Sequence, residues 1–165
     1  MTLLAMVRDP LLAKFFGRPP AGILPNGMAG LNRGSFRIIE EQRIGTDWIT
    51  SGLVQHNSDY IAQGWKALDL GLEFQDADGG FGPYGYYHSN SLFVEALARA
   101  ILLDPSGKTR RRMSALEKAS GWLLKLDAKG REWNSPYTHR SYIVACALGF
   151  SGALLSRQDL LDASD

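Results

Sequence analysis

Between Ser58 and Phe74 the apolar residues Ile61, Trp65, Leu68 and Leu72 fall at the i, i+4, i+7, i+11 spacing of one helix face. Lys66, Asp69 and Glu73 turn to the other side. Asn57 and Ser58 stand before this stripe, and short polar side chains of that kind cap a helix by accepting from its first free N–H groups. The next stretch, Gln75-Asp-Ala-Asp-Gly-Gly-Phe-Gly-Pro83, reads as a turn, because its glycines reach backbone angles closed to other residues. From about Ser89 to Leu103 the chain is apolar on nearly every side, the pattern of a helix buried all round. Asp104-Pro105-Ser-Gly ends it. The alternation then repeats. An amphipathic helix is predicted from about Arg111 to Leu126, with Met113, Leu116 and Leu123 on one side. Asp127-Ala-Lys-Gly130 predicts a second glycine turn, and about His139 to Leu155 a second, almost wholly apolar helix.

The two units superpose. Asp76-Ala77-x-Gly79 matches Asp127-Ala128-x-Gly130 at an offset of 51, and Tyr87, Ser91 and Val94 match Tyr137, Ser141 and Val144 at an offset of 50. A repeat near fifty residues, each unit one helical hairpin, signals stacked or ring-forming units. Half-polar helices then make an outer wall, and all-apolar helices an inner wall packed on both sides. An earlier unit is expected to end near Asp47-Trp48-Ile49-Thr50. The fold class is all-α: antiparallel helical-hairpin repeats over 35–165. Residues 17–34 carry Pro19, Pro20 and Pro25 with five glycines, which cannot sustain a helix. Residues 1–34 therefore read as an N-terminal arm, a short helix at roughly 2–16 followed by a Pro/Gly-rich loop.

Composition narrows the field. With 45% hydrophobic and 21% charged residues in 165, the chain can bury a core of ordinary globular size. A net charge of +1 offers no general attraction for polyanions, which argues against nucleic acid. Arg110, Arg111 and Arg112 read as a solvated helix start. The single cysteine, Cys146, has no internal disulfide partner and reads as a small buried thiol. Arg8, Asp9, Pro10 and Lys14 interrupt the apolar N-terminus, and no apolar run approaches the ~20 residues of a membrane span. A soluble protein of a reducing, cytoplasmic compartment is the expectation.

Gln75-Asp-Ala-Asp-Gly-Gly-Phe-Gly, set between an amphipathic and an apolar helix, resembles the Q-x-x-D-G-G-[FW] element of terpenoid cyclases and protein prenyltransferase β subunits. The organisation over roughly 45–155 is also similar to the six-hairpin carbohydrate enzymes, glycosidases and polysaccharide lyases among them. The resemblance implies an α/α toroid, of which this chain makes a part, since a full ring in these families has about twice as many helices. Further chain or a second copy would close the ring, and an open arc would expose apolar inner faces. The resemblance also implies that Gln75 and Phe81 tie the turn to neighbouring helices. The second copy departs from it, with Leu126 in place of Gln75 and Trp133 as the aromatic.

Both turns lead into apolar helices, so the starts of those helices are expected at one end of the molecule. That end collects Tyr84, Tyr86, Tyr87, His88 and Asn90 from one unit and Trp133, Asn134, Tyr137, His139 and Arg140 from the other. Rings stack on sugar faces and polar groups fix hydroxyls. In the lyases of α/α-toroid type, the resemblance implies, Asn or His with Arg neutralises a uronate carboxylate while Tyr or His removes the α-proton. The candidate catalytic set is His88, Asn90, Tyr137, His139 and Arg140, with Tyr84, Tyr86, Tyr87, Trp133 and Asn134 binding substrate. Helix N-termini add positive potential there. The plainer alternative makes Ser89, Asn90 and Thr138 helix caps and ties both histidines to loop backbone.

Glu95 and Arg99, at i, i+4, read as an ion pair rather than a general acid, and no second carboxylate is evident, which favours lyase over glycosidase. Asp76-Ala-Asp78-Gly opens like a calcium loop but lacks the later ligands and reads as a turn. His56, His88 and His139 lack a zinc spacing, so neither metal nor cofactor is expected. The D-x-D-D and D-D-x-x-D patterns of terpenoid cyclases are absent. The leading expectation is an acidic-polysaccharide lyase. A terpenoid-cyclase-like fragment acting on a small organic substrate and a non-catalytic helical-repeat subunit stand behind it.

Overall fold

The computed structural model describes residues 19, 22–29, 38–82, 86–134 and 136–165, leaving aside the side chains at 128, 131, 133 and 134. The helix expected at 2–16 lies outside them. Among the described residues the chain is all-helical, with a lone bridge between Ile23 and Ala29. The helices are α1 (Ile38–Gln42), α2 (Gly45–Gln55), α3 (Ser58–Leu72), α4 (Tyr87–Leu103), α5 (Arg110–Lys125), α6 (Asp127–Asn134), α7 (Thr138–Leu155) and α8 (Gln158–Asp162). A single 3₁₀ turn, Pro105–Gly107, joins α4 to α5. No described helix is long and apolar enough to cross a membrane.

Local chemistry sets the boundaries. The Asn57 side chain accepts from the N–H groups of Asp59 and Tyr60 at 3.0 and 3.2 Å and starts α3. Trp65, Leu68 and Leu72 of its stripe are buried, while Lys66 and Glu73 face water. Thr109 caps α5 in the same way, and Ala115, Leu116, Ala119 and Leu123 make its buried face. The turn between α3 and α4 is clamped to α5: Gln75 Nε2 donates to the carbonyls of Gly79 (3.1 Å) and Ala115 (2.9 Å). Asp78 Oδ1 accepts from Gly80 N–H at 2.9 Å. Gly79, at φ +98°, lies against the Lys118 carbonyl, where a side chain would be both strained and blocked. Phe81 is fully buried, edge-on to Phe93 at 5.2 Å. The turn is an anchor.

Helix α4 is the hub. It packs against α1, α2, α5, α6 and α7, most extensively α7, while α2 and α3 form the other large pairing. Helices α2, α4 and α7 are thus successive neighbours, with α5 touching both α4 and α7. Twelve residues of α4 are buried, from Tyr87 to Ile101. The loop at 22–29 is docked: Ala29 N–H donates to Gln42 Oε1 at 3.3 Å, and Lys66 Nζ donates to the Pro25 carbonyl.

Several expectations need correction. Asp47–Thr50 does not end a unit but lies inside α2, and the chain reverses later, at left-handed His56. Asp127–Gly130 is not a glycine turn; it opens helix α6. Gly130 is needed for a different reason, because a Cβ there would strike the Tyr87 ring. Helix α7 is not packed on both sides. Its buried residues are Val144, Ala147, Leu148, Ser151 and Gly152, whereas Tyr142 is 71% exposed and Cys146 only half-buried. Helices α4, α5, α6 and α8 all pack against α7, yet they leave this face open. Arg112 is not solvated either. Its guanidinium lies 3.9 Å above the Trp65 ring, donates to both Asp69 carboxylate oxygens at 2.8 and 2.7 Å, and reaches the Gly107 carbonyl at 3.1 Å. Below it Trp65 Nε1 donates to Asp104 at 2.7 Å.

Candidate functional site

Helices α4 and α7 begin side by side, so residues fifty apart in sequence meet. The His88 and His139 rings stand edge to face with centroids 5.8 Å apart. Tyr137 lies 6.1 Å from His139, and the Arg140 guanidinium sits 4.0 Å over the Tyr137 ring. Four of the five candidate catalytic residues therefore form one cluster. His139 and Tyr137 are exposed; His88 and Arg140 are half-buried.

Asn90 takes a different place. It is 1% exposed, and its amide nitrogen donates to the Tyr86 carbonyl at 2.8 Å, so it braces the first turn of α4 from inside. It does not cap that helix, and neither does Ser89; α4 begins at Tyr87, two residues earlier than expected, and Thr138 is likewise the first residue of α7 rather than its cap. Tyr87 is also interior, packed on Trp122 and over Gly130. Tyr86, 71% exposed, is open to a ligand. Tyr84 and the side chains of Trp133 and Asn134 lie outside the described residues.

The sequence reading missed Glu40 and Arg43. Helix α1 packs across the start of α4, and Ser89 Oγ donates to Glu40 Oε2 at 3.4 Å. The two residues are 49 positions apart. No local spacing signals such a contact.

Electrostatics sort the two histidines. Burial holds His88 below its ordinary pKa of about 6.5, and the Arg140 charge lowers it further. Glu40 opposes both, while His139 and Arg43 add to the lowering. His88 is thus a neutral imidazole at neutral pH. Its Nδ1 atom is buried, as is Arg140 Nε, and neither has a hydrogen-bond partner among the described residues.

Further along α4, Arg99 Nε donates to Glu95 Oε1 at 2.7 Å, the expected ion pair. The structure adds a second carboxylate, since Asp47 of α2 feels the charges of Arg99, Arg43 and Glu95. Burial raises the Asp47 pKa, with the two arginines pulling the other way. Glu95 is held by Arg99 in this pair. Among the described residues, no group of three or more His, Cys, Asp or Glu side chains is arranged to hold a metal.

No protein-family model matches the chain, and neither the curated proteins nor the solved structures yield a match.

Proposed function

We propose that this chain is an arc of an α/α toroid and a polysaccharide lyase that cleaves an acidic polysaccharide by β-elimination at the His88, Tyr137, His139 and Arg140 cluster. One observation carries the reading: a neutral, half-buried imidazole lies in one cluster with a guanidinium and with exposed tyrosine and histidine rings. The succession of α2, α4 and α7 as neighbours supports the arc.

The chemistry follows from the charges. A uronate carboxylate accepts from the Arg140 guanidinium, which draws negative charge off the α-carbon. His88 Nε2 then takes the α-proton, the bond from the β-carbon to the glycosidic oxygen breaks, and its electron pair leaves with that oxygen. His139 or Tyr137 returns a proton to the leaving oxygen. The products are a new reducing end and an unsaturated uronate. Tyr86 and Tyr137 offer ring faces for the flanking sugars.

Screening uronate polymers for the absorbance of unsaturated products tests this directly. His88→Ala and His139→Ala should each lower turnover by about 10²-fold or more with folding intact. Lack of product from every uronate polymer, with the assembled protein, would overturn the proposal. The exposed Tyr142 on the uncovered side of α7 favours a second reading, a helical-repeat subunit that binds a partner. Native mass spectrometry addresses that one: a lone monomer at micromolar concentration argues against it.

A further inference from the structure

We propose that the contact between the His88 and His139 rings is an acid-released latch, which holds the start of α7 against the start of α4 at neutral pH and lets it swing away once both imidazoles are protonated. The inference needs no substrate and stands apart from the lyase reading.

Geometry carries it. The rings meet edge to face with centroids 5.8 Å apart, one from the first turn of each helix. That end of α7 is lightly held among the described residues. None of the side chains at 138–143 is fully buried, and burial begins at Val144. No side chain caps the helix at Tyr137. The Arg140 guanidinium lies over the Tyr137 ring, a contact within the same turn that travels with it. Val144, Ala147 and Leu148 remain in the core, so the hinge falls at Val144.

Charge supplies the release. Neutral rings attract each other edge to face, whereas two imidazolium ions repel. The surroundings sharpen the contrast. Arg140 of α7 and Arg43, just after α1, add positive charge at His88, and Glu40 of α1 works the other way. Both helix starts also direct positive potential there. In the closed form, burial and the Arg140 charge hold His88 below its ordinary 6.5. Swinging α7 away removes Arg140 and His139 and admits water to the ring, so the open form binds the proton more tightly. Opening is therefore favoured as pH falls from about 6.5 through the closed-form value. Tyr137 and Arg140 leave with α7, and acid disperses the cluster.

NMR of the full chain without substrate, at pH 7.5 and 5.0, tests the latch. Cross-relaxation between the His88 and His139 ring protons should be present at pH 7.5 and lost at 5.0. That between Phe81 and Phe93, 5.2 Å apart in the core, should persist at both. The Tyr142 and Ile143 amides should lose about 10-fold in exchange protection at pH 5.0, corrected for intrinsic rate, with Leu148 unchanged. His139→Gln, at an exposed position, removes one charge and should make that protection equal at the two pH values. His88→Gln should do the same and replaces it if His139→Gln fails to fold. Rings still in contact at pH 5.0 overturn the proposal, as does an undiminished loss of protection in the folded variant. Loss of the Phe81–Phe93 signal together with the histidine one would mean global unfolding and overturns it too.

Discussion

Among the described residues two arginine–aromatic pairs have nearly the same geometry, Arg112 at 3.9 Å over Trp65 and Arg140 at 4.0 Å over Tyr137, and they are finished differently. Around Trp65 the polar groups are satisfied. Its Nε1 bonds Asp104, which also accepts from the Ser106 N–H and hydroxyl at 3.2 and 2.6 Å, and Arg112 is held by Asp69 and Gly107. Around Tyr137, Arg140 Nε and the neighbouring His88 Nδ1 are buried without partners among the described residues. Folding stability belongs in the first region, where every bond is made within the chain. The second region leaves buried nitrogens unmatched among the described residues, and so adds less to that stability.

Trp65→Ala should show the contrast at its largest. It removes a buried ring, leaves Asp104 and Arg112 without their common platform, and should cost about 3–5 kcal/mol in urea unfolding. Asp104→Ala comes next, at about 2–3 kcal/mol, because it leaves a buried indole N–H unmatched. An Asp104→Ala midpoint equal to that of the parent would show that the knot does not hold α3, α4 and α5 together.

The two regions also part company in their pH dependence. Burial alone would raise the Asp104 pKa, but hydrogen bonds from Ser106 and Trp65 and the Arg112 charge bring it below its ordinary 3.8. A depressed carboxylate stabilises the fold above its unfolded pKa, and that stability is lost as pH falls through the folded value. His88 acts in another window. Its folded pKa lies below 6.5, so the unfolded chain takes up the proton first and stability falls as pH drops from about 6.5 to the folded value. Below that value His88 adds no slope. Unfolding free energy measured from pH 7.5 to 3 should lose the upper slope in His88→Ala and keep it in Asp104→Ala, with the reverse at the acid end.

Part of this was legible beforehand and part was not. The α3 stripe and the Asn57 cap follow from residues close in sequence, where spacing and side-chain chemistry decide the outcome, whereas the Gln75 clamp on α5 spans 40 residues and was expected only from the resemblance. The meeting of His88 with His139 was readable because the fifty-residue repeat puts both at helix starts. Gly130 misled, since glycine serves a turn at Gly79 and a close approach to Tyr87 at 130, and both look alike in sequence. The Trp65–Asp104 and Ser89–Glu40 contacts span 39 and 49 residues, and each depends on which helices become neighbours. The exposure of Tyr142 on α7 was hidden too, because an apolar composition suits burial all round without fixing which face meets a neighbour.

The smallest expected effect is the one that sharpens the contrast most. Arg140→Ala deletes a cation–π contact at a half-exposed ring and a guanidinium whose Nε finds no partner within the described residues. Its stability should change by no more than about 0.5–1 kcal/mol, since an exposed contact of this kind contributes little. Removing the Arg140 charge should also raise the His88 pKa and shrink the slope below pH 6.5. The corresponding change in the other pair, Arg112→Ala, breaks a bidentate bond to Asp69 and should lower the midpoint clearly further. Equal losses from the two arginines would mean that Arg140 is a structural clasp like Arg112, and the cluster would then have no cation to spare for a substrate carboxylate.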